Sequence, residues 1–372
     1  LSTKGETSGY ETYAFPIYVE DGTTSIFAPN RNCNINSTVT GTGTLQFDIP
    51  YLREYILGNY SGFKGRIIAN GVGTDKNGSL FLINKGNPQL DKVPVELKGN
   101  ARLCAWDTNP SLAIGGLSGV SGTYLMGSSK NTNGFKCTWT VGGANTNETF
   151  AGIINDWSCS GSGYTGTVSI VKTGSGDWRL TGNNTYKGTT TVNGGRLVVN
   201  GTNSGTGAVT VANNGTLAGT GTVSGKVTVN GVIHAGDTLV NGKGLTLAST
   251  LTLGNNSVMN IPLAATTCNK LTFKGKVTIG TGVTLTFNNG DDGMSGTPVK
   301  GKEYQIFSLA SGVTIDGTFA NIATDVLGTG QTWDTTDLYT KGVLRVAEDA
   351  SAVKGVTTSA ADSDVYYNLM GH

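Results

Sequence analysis

The sequence predicts an all-β solenoid, a rod of stacked coils made from very short strands. Three observations carry that reading. First, the triplets Val209-Thr210-Val211, Val227-Thr228-Val229 and Leu245-Thr246-Leu247 follow one another at an even step, with Gly and Asn between them. Related triplets extend the series at Leu197-Val198-Val199, Leu251-Thr252-Leu253, Leu271-Thr272-Phe273 and Val277-Thr278-Ile279. A step of roughly 20 residues built from strands and turns marks a repeat whose units must stack to bury their apolar faces. Second, 57 of the 372 residues are Gly and only 14% are charged, against a usual charged share of about 25%. Third, no window has the periodicity of an amphipathic helix; the nearest, Pro50 to Leu57, is short and tyrosine-rich.

Successive side chains of a strand point to opposite faces. In Val227-Thr228-Val229 both valines therefore face the interior and the threonine faces solvent. Thr is β-branched and favours extended backbone while tolerating water. Asn193-Gly194-Gly195, Asn213-Asn214-Gly215, Asn230-Gly231, Asn241-Gly242 and Asn289-Gly290 stand where corners are needed, because Gly and Asn reach positive φ cheaply. A two-residue hairpin is the alternative for each pair; the even phase of the triplets favours coils.

Four regions follow in order. Residues 1–160 are irregular, aromatic-richer coils. Within them aromatics crowd positions 1–70, and strands are expected at Ser79 to Ile83, Val93 to Leu97 and Leu103 to Trp106. Residues 161–300 hold the regular repeat. Residues 301–347, with longer strands at Tyr304 to Leu309 and Val343 to Val346, read as a cap over the open end of the core. Residues 348–372 are rich in Ala, Ser, Thr and Asp and read as a linker and tail.

Several function classes are disfavoured. The net charge is +1 and no Lys/Arg cluster occurs, which argues against nucleic acid or an anionic membrane as partner. No apolar run reaches the ~20 residues of a transmembrane helix. The chain starts at Leu1 without a signal-like segment, so it reads as a mature product or fragment whose export signal lies elsewhere. Cys33, Cys104, Cys137, Cys159 and Cys268 are odd in number and contain no CxxC; with two histidines, a zinc site is not expected. Cys137 and Cys159 are about one coil apart and could pair, although small buried hydrophobes are the plainer reading.

The stretch Val168-Ser-Ile-Val-Lys-Thr-Gly-Ser-Gly-Asp-Trp-Arg-Leu-Thr-Gly-Asn-Asn-Thr-Tyr-Lys-Gly-Thr-Thr-Thr-Val-Asn-Gly-Gly-Arg-Leu resembles the autotransporter-associated β-strand repeat. Gly215-Thr-Leu-Ala-Gly-Thr-Gly-Thr-Val and Val232-Ile-His-Ala-Gly-Asp continue the pattern, and Phe150-Ala-Gly-Ile-Ile fits its lead-in. The resemblance spans about 150 to 260. It implies a right-handed parallel β-helix in a protein exported to the bacterial surface. Trp178 departs from an aliphatic position and should face inward, into a roomy coil. The tail Val365-Tyr-Tyr-Asn-Leu-Met-Gly-His372 is similar to the start of a type IX secretion sorting tail. That resemblance implies the secretion machinery as a partner and the end of a longer protein. No C-terminal pattern of alternating barrel strands occurs.

Catalytic signals are sparse. A β-helix lyase needs clustered carboxylates for Ca²⁺ and a basic residue; a hydrolase needs two facing carboxylates. Asp291-Asp292 is the one acidic pair and reads as a polar turn. Asp177 and Asp237 stand alone, and His234 and His372 find no triad partners. No catalytic residue, metal ligand or cofactor is assigned. Tyr51, Tyr55, Tyr60, Trp106, Trp139 and Trp157 are the candidate sugar-stacking residues, with filling of the wider N-terminal coils as the competing role. Three functions are carried: a non-catalytic stalk presenting an N-terminal effector on a secreted or cell-surface protein; an adhesin binding surface or dietary glycans; and part of a polysaccharide-degrading β-helix enzyme.

Overall fold

The computed structural model describes residues 11–28, 33–50, 53–56, 58–73, 79–83, 89–105, 109–128, 133–158, 164–238, 241–287 and 296–349. One sheet of 13 strands runs from Thr24–Phe27 to Asn321–Ile322. A second face holds seven strands, from Glu11–Tyr13 to Ile153–Ile154, and then five, from Thr202–Asn203 to Phe307–Leu309. Asn184 and Thr185 join these two sheets: Thr185 N–H donates to the Ile154 carbonyl (2.9 Å) and Asn184 N–H to that of Thr202 (2.7 Å). The third face holds nine strands, from Ser111–Ile114 to Ile315–Asp316, preceded by the pair Ile17–Val19 and Val39–Gly41. Neighbouring coils pair in parallel on all three faces. The molecule is thus a parallel β-helix, and twisted parallel strands impose the right-handed sense on its crossovers.

The alternation of side chains builds the core. In the long sheet Trp178, Leu197, Leu217, Ile233, Met259 and Leu285 are rungs of one inward ladder, all buried. In the nine-stranded sheet Val209 stacks on Val227, Val227 on Leu251 and Leu251 on Val277. Between them Thr191, Thr210, Thr228, Thr252 and Thr278 form an outward ladder. The expected even series is therefore corrected at its third member. Leu245-Thr246-Leu247 does not stack on Val227; Thr246 and Leu247 pair with Thr222 and Val223 on another face. Two interleaved ladders carry the same apolar-Thr-apolar phrase. From Val209 onward the coils lengthen: the step from Val227 to Leu251 is longer than that from Val209 to Val227, and that from Leu251 to Val277 longer still.

Two recurrent devices close the coils. Gly182, Gly201 and Gly221 form one stack, and Gly188, Gly207 and Gly225 another. A Cβ on any of them would overlap a carbonyl oxygen of the preceding coil, so close backbone approach, with φ in the ordinary range, demands glycine here. Gly215 and Gly231, two of the expected positive-φ corners, also belong to this class, whereas Gly195 and Gly242 do adopt φ of 60° and 70°. Asn side chains staple one coil to the next. The Oδ1 atoms of Asn145, Asn147, Asn200 and Asn255 accept from the N–H groups of Ser175 (2.9 Å), Asp177 (2.8 Å), Thr220 (3.1 Å) and Thr281 (3.0 Å).

The C-terminal end closes with an antiparallel sheet, Glu303–Gln305 and Gln331–Asp334 flanking Val343–Glu348. The expected strand Tyr304 to Leu309 divides here. Its first part joins this sheet and Phe307–Leu309 stays in the parallel helix. Trp333 packs against Phe287 (centroids 5.0 Å apart) and Tyr304 (6.2 Å), and covers the last coil. Cys33, Cys137 and Cys268 are buried, and Cys104 is disulfide-bonded. The suggested pairing of Cys137 is excluded: its thiol is free and its ladder partner one coil on is Val168.

Candidate binding surface and repeat residues

Two of the six aromatic candidates lie in the core. Tyr60 and Trp139 are fully buried. Trp139 occupies an inward rung between Leu112 and Ile170, and its indole N–H donates to the Met126 carbonyl (2.9 Å). Both fill the wide N-terminal coils and are closed to ligand, which corrects their assignment as stacking platforms. Trp157 is 57% exposed, with its backbone N–H held by Asn155 Oδ1 (3.0 Å). Tyr55 lies on the strand Arg53–Ile56 between Asn34 and Leu82. Tyr51 and Trp106, like Asp291, Asp292 and the tail from residue 350, lie outside the described residues.

The residues that carried the family resemblance turn out to be coil-stacking devices. Lys172 occupies an inward rung between Val141 and Val192 and is 1% exposed. Its ammonium donates to the carbonyls of Thr173 (2.7 Å), Gly174 (3.1 Å) and Gly194 (3.0 Å), clamping a corner across two coils. Burial pushes its pKa down to about 8, partly opposed by the charge of Asp177. Asn184 Oδ1 accepts the Ile154 N–H (2.9 Å). The buried Tyr186 hydroxyl hydrogen-bonds Thr190 Oγ1 (2.7 Å) and accepts from Asn203 (3.1 Å). The pairing of Tyr186 with Thr190 needs Gly188 between, because the chain there runs against the Val168 carbonyl. Trp178 is buried as expected, and its indole N–H donates to the Leu117 carbonyl (2.9 Å).

Ion pairs also hold structure. After Val232–His234 the chain doubles back, bridging Gly219 to Gly236, and Asn269 Nδ2 donates to the carbonyls of Ala235 (2.7 Å) and Thr238 (2.9 Å). This strap sets Asp237 against Arg179 (3.0 Å), Arg196 (3.5 Å) and Asn200 (3.1 Å), with Asp177 bound to the same two arginines. Burial alone would raise the Asp237 pKa; the bonds from Arg179 and Asn200 and the two guanidinium charges outweigh it and hold it below the usual carboxylate range. Asp156 is buried and accepts the N–H groups of Val168 (2.8 Å) and Lys187 (2.9 Å), yet burial keeps its pKa raised. Among the described residues no three His, Cys, Asp or Glu side chains are grouped to hold a metal. His234 Nδ1 lies 3.1 Å from the Gly236 carbonyl.

One concavity stands out, a cleft of about 670 Å³ over the N-terminal half of the long sheet. Its floor follows from register. Thr44, Arg66, Pro94 and Gly116 are successive rungs, and side-chain bulk falls away from Arg66 through Pro94 to Gly116. Glu148, 5% exposed, folds into the space above Gly116 and takes both Arg66 nitrogens (2.7 and 3.2 Å). Arg66 also donates to Ser118 (3.1 Å) and Thr146 to Glu148 (2.9 Å). Lys64, Lys92 and the loop 143–146 form the walls. Sequence reasoning missed this cleft because its residues are scattered from Thr42 to Thr146. The one available signal was the equal step from Lys64 to Lys92 and from Ile67 to Val95.

Residues 170–199 match the passenger-associated-transport-repeat family. The matched stretch holds Lys172, Asn184 and Tyr186, whose side chains join adjacent coils, and Thr190, which bonds the Tyr186 hydroxyl. The chain thus carries a repeat of passenger-type, exported proteins. No curated protein matches the chain. No helix among the described residues is long and apolar enough to cross a membrane.

Proposed function

We propose that this chain is a non-catalytic β-helical stalk, the passenger region of an exported bacterial surface protein that presents or spaces an effector on its N-terminal side. The observation that carries this reading is the use of the repeat residues: Lys172, Asn184, Tyr186 and Thr190 are buried and hydrogen-bonded within the coil stack. The 13-stranded face is one unbroken stack, and strand spacing of about 4.8 Å makes it roughly 58 Å long. Delivery by a type IX route is supported by the Tyr367-Asn368-Leu369 phrase in the tail.

The test is surface display. An epitope fused ahead of Leu1 should be reached by antibody on intact cells exporting the chain, and the purified chain should turn over none of a panel of polysaccharides. Production of unsaturated uronates or new reducing ends would overturn the stalk reading.

A further inference from the structure

The stalk reading leaves the N-terminal cleft unexplained. The whole chain is nearly neutral, with 26 basic and 25 acidic residues, yet the cleft lining contains Lys64, Arg66 and Lys92 and no carboxylate. Glu148 is 5% exposed and is not part of the lining; it offsets Arg66, fixing the guanidinium with two hydrogen bonds. Asp21 stands at the rim, bound to Thr42 (3.0 Å). The lysines are the charges open to a ligand. Lys64 Nζ rests on the Ser61 carbonyl (3.3 Å) and Lys92 Nζ on that of Gly143 (2.8 Å), so both are steered along the walls and keep further N–H groups for a ligand.

Each lysine lies just ahead of a strand, and the strands, Arg66–Gly71 and Pro94–Gly99, are hydrogen-bonded neighbours. Lys64 and Lys92 therefore stand on neighbouring coils, whose strands are about 4.8 Å apart, a step comparable to one sugar ring in an extended polysaccharide. Thr44 and Asn145 add a hydroxyl and an amide, and Pro94 and Ala144 add small apolar surface. No aromatic side chain lines the cleft, which removes the stacking platform that single-stranded nucleic acid uses.

We infer that this cleft binds an acidic glycan carrying carboxylates on successive sugars, with Lys64 and Lys92 as the charge-recognising residues. The inference goes beyond the stalk reading, which display and turnover test separately.

The experiment is calorimetric titration of the full chain with oligogalacturonate, with a neutral glucan oligomer of equal length and with a single-stranded DNA oligomer. Lys64→Glu/Lys92→Glu serves as the variant; both side chains are exposed, so its melting temperature should match the wild type. Saturable uronate binding that weakens with salt, falls at least ten-fold in the variant and has no counterpart with the glucan is the expected result. Absence of uronate binding, equal binding by a folded variant, or DNA bound as tightly as uronate would each overturn the proposal.

Discussion

At the scale of single residues, the contrast between adjacent positions is sharpest at Val227 and Thr228. Val227 is 1% exposed between Val209 and Leu251, whereas Thr228 points outward in the threonine ladder. Val227→Asp places an uncompensated charge in the core and should cost about 4 kcal/mol. Thr228→Asp should change stability by less than about 1 kcal/mol. Urea unfolding of the two variants checks this, and equal losses would reverse the inside–outside assignment. Lys172 makes a pH-dependent contribution. Below about pH 8 its ammonium is present in both folded and unfolded chains, and the cost of burying it is fully felt. Between about 8 and the unfolded value near 10.4 the folded chain sheds a proton that the unfolded chain keeps. Stability should therefore rise across that window, by up to about 1.4 kcal/mol per pH unit. Lys172→Met should flatten the slope while lowering stability at pH 7, because the carbonyls of Thr173, Gly174 and Gly194 lose their donor.

At the scale of the coil, register makes the unit modular. Val209 and Val227 are equivalent rungs on adjacent coils, and the intervening stretch supplies one strand to each face. Deleting residues 209–226 joins Ala208 to Val227 and leaves Val227 to stack on Thr190. The shortened chain should fold, with circular dichroism unchanged in shape and a maximum dimension by solution scattering smaller by about 5 Å. A molten or aggregated product would show that the coils are not interchangeable. Much of the coil was legible beforehand: the inward and outward sides of the apolar-Thr-apolar triplets, the positive-φ corners at Gly195 and Gly242 and an inward Trp178 appear as read, whereas Gly215 and Gly231 serve close backbone approach instead. The partner of each triplet was not legible. Two faces use the same phrase, and Leu245 falls on the even step by coincidence of loop length; pairing with Val223's strand wins because that strand occupies the same face one coil earlier.

At the scale of the whole molecule, the closed end and the cleft depend on long-range placement. The antiparallel cap turns Trp333, Tyr304, Leu344 and Val346 onto the last coil, which no further parallel strand covers among the described residues. The strap at Asp237 and the bond between Arg66 and Glu148 tie distant coils on the outside of the same long sheet. The sequence by itself determined the all-β class, the two-residue alternation of core and surface, the corner chemistry and the resemblance now matched at residues 170–199, because each depends on neighbours within about one coil. Only the tertiary structure decided which coil stacks on which, which aromatics are core and which lysines share a cleft. Those outcomes rest on variable loop lengths and on side chains from several coils meeting in space, and neither leaves a trace in local sequence.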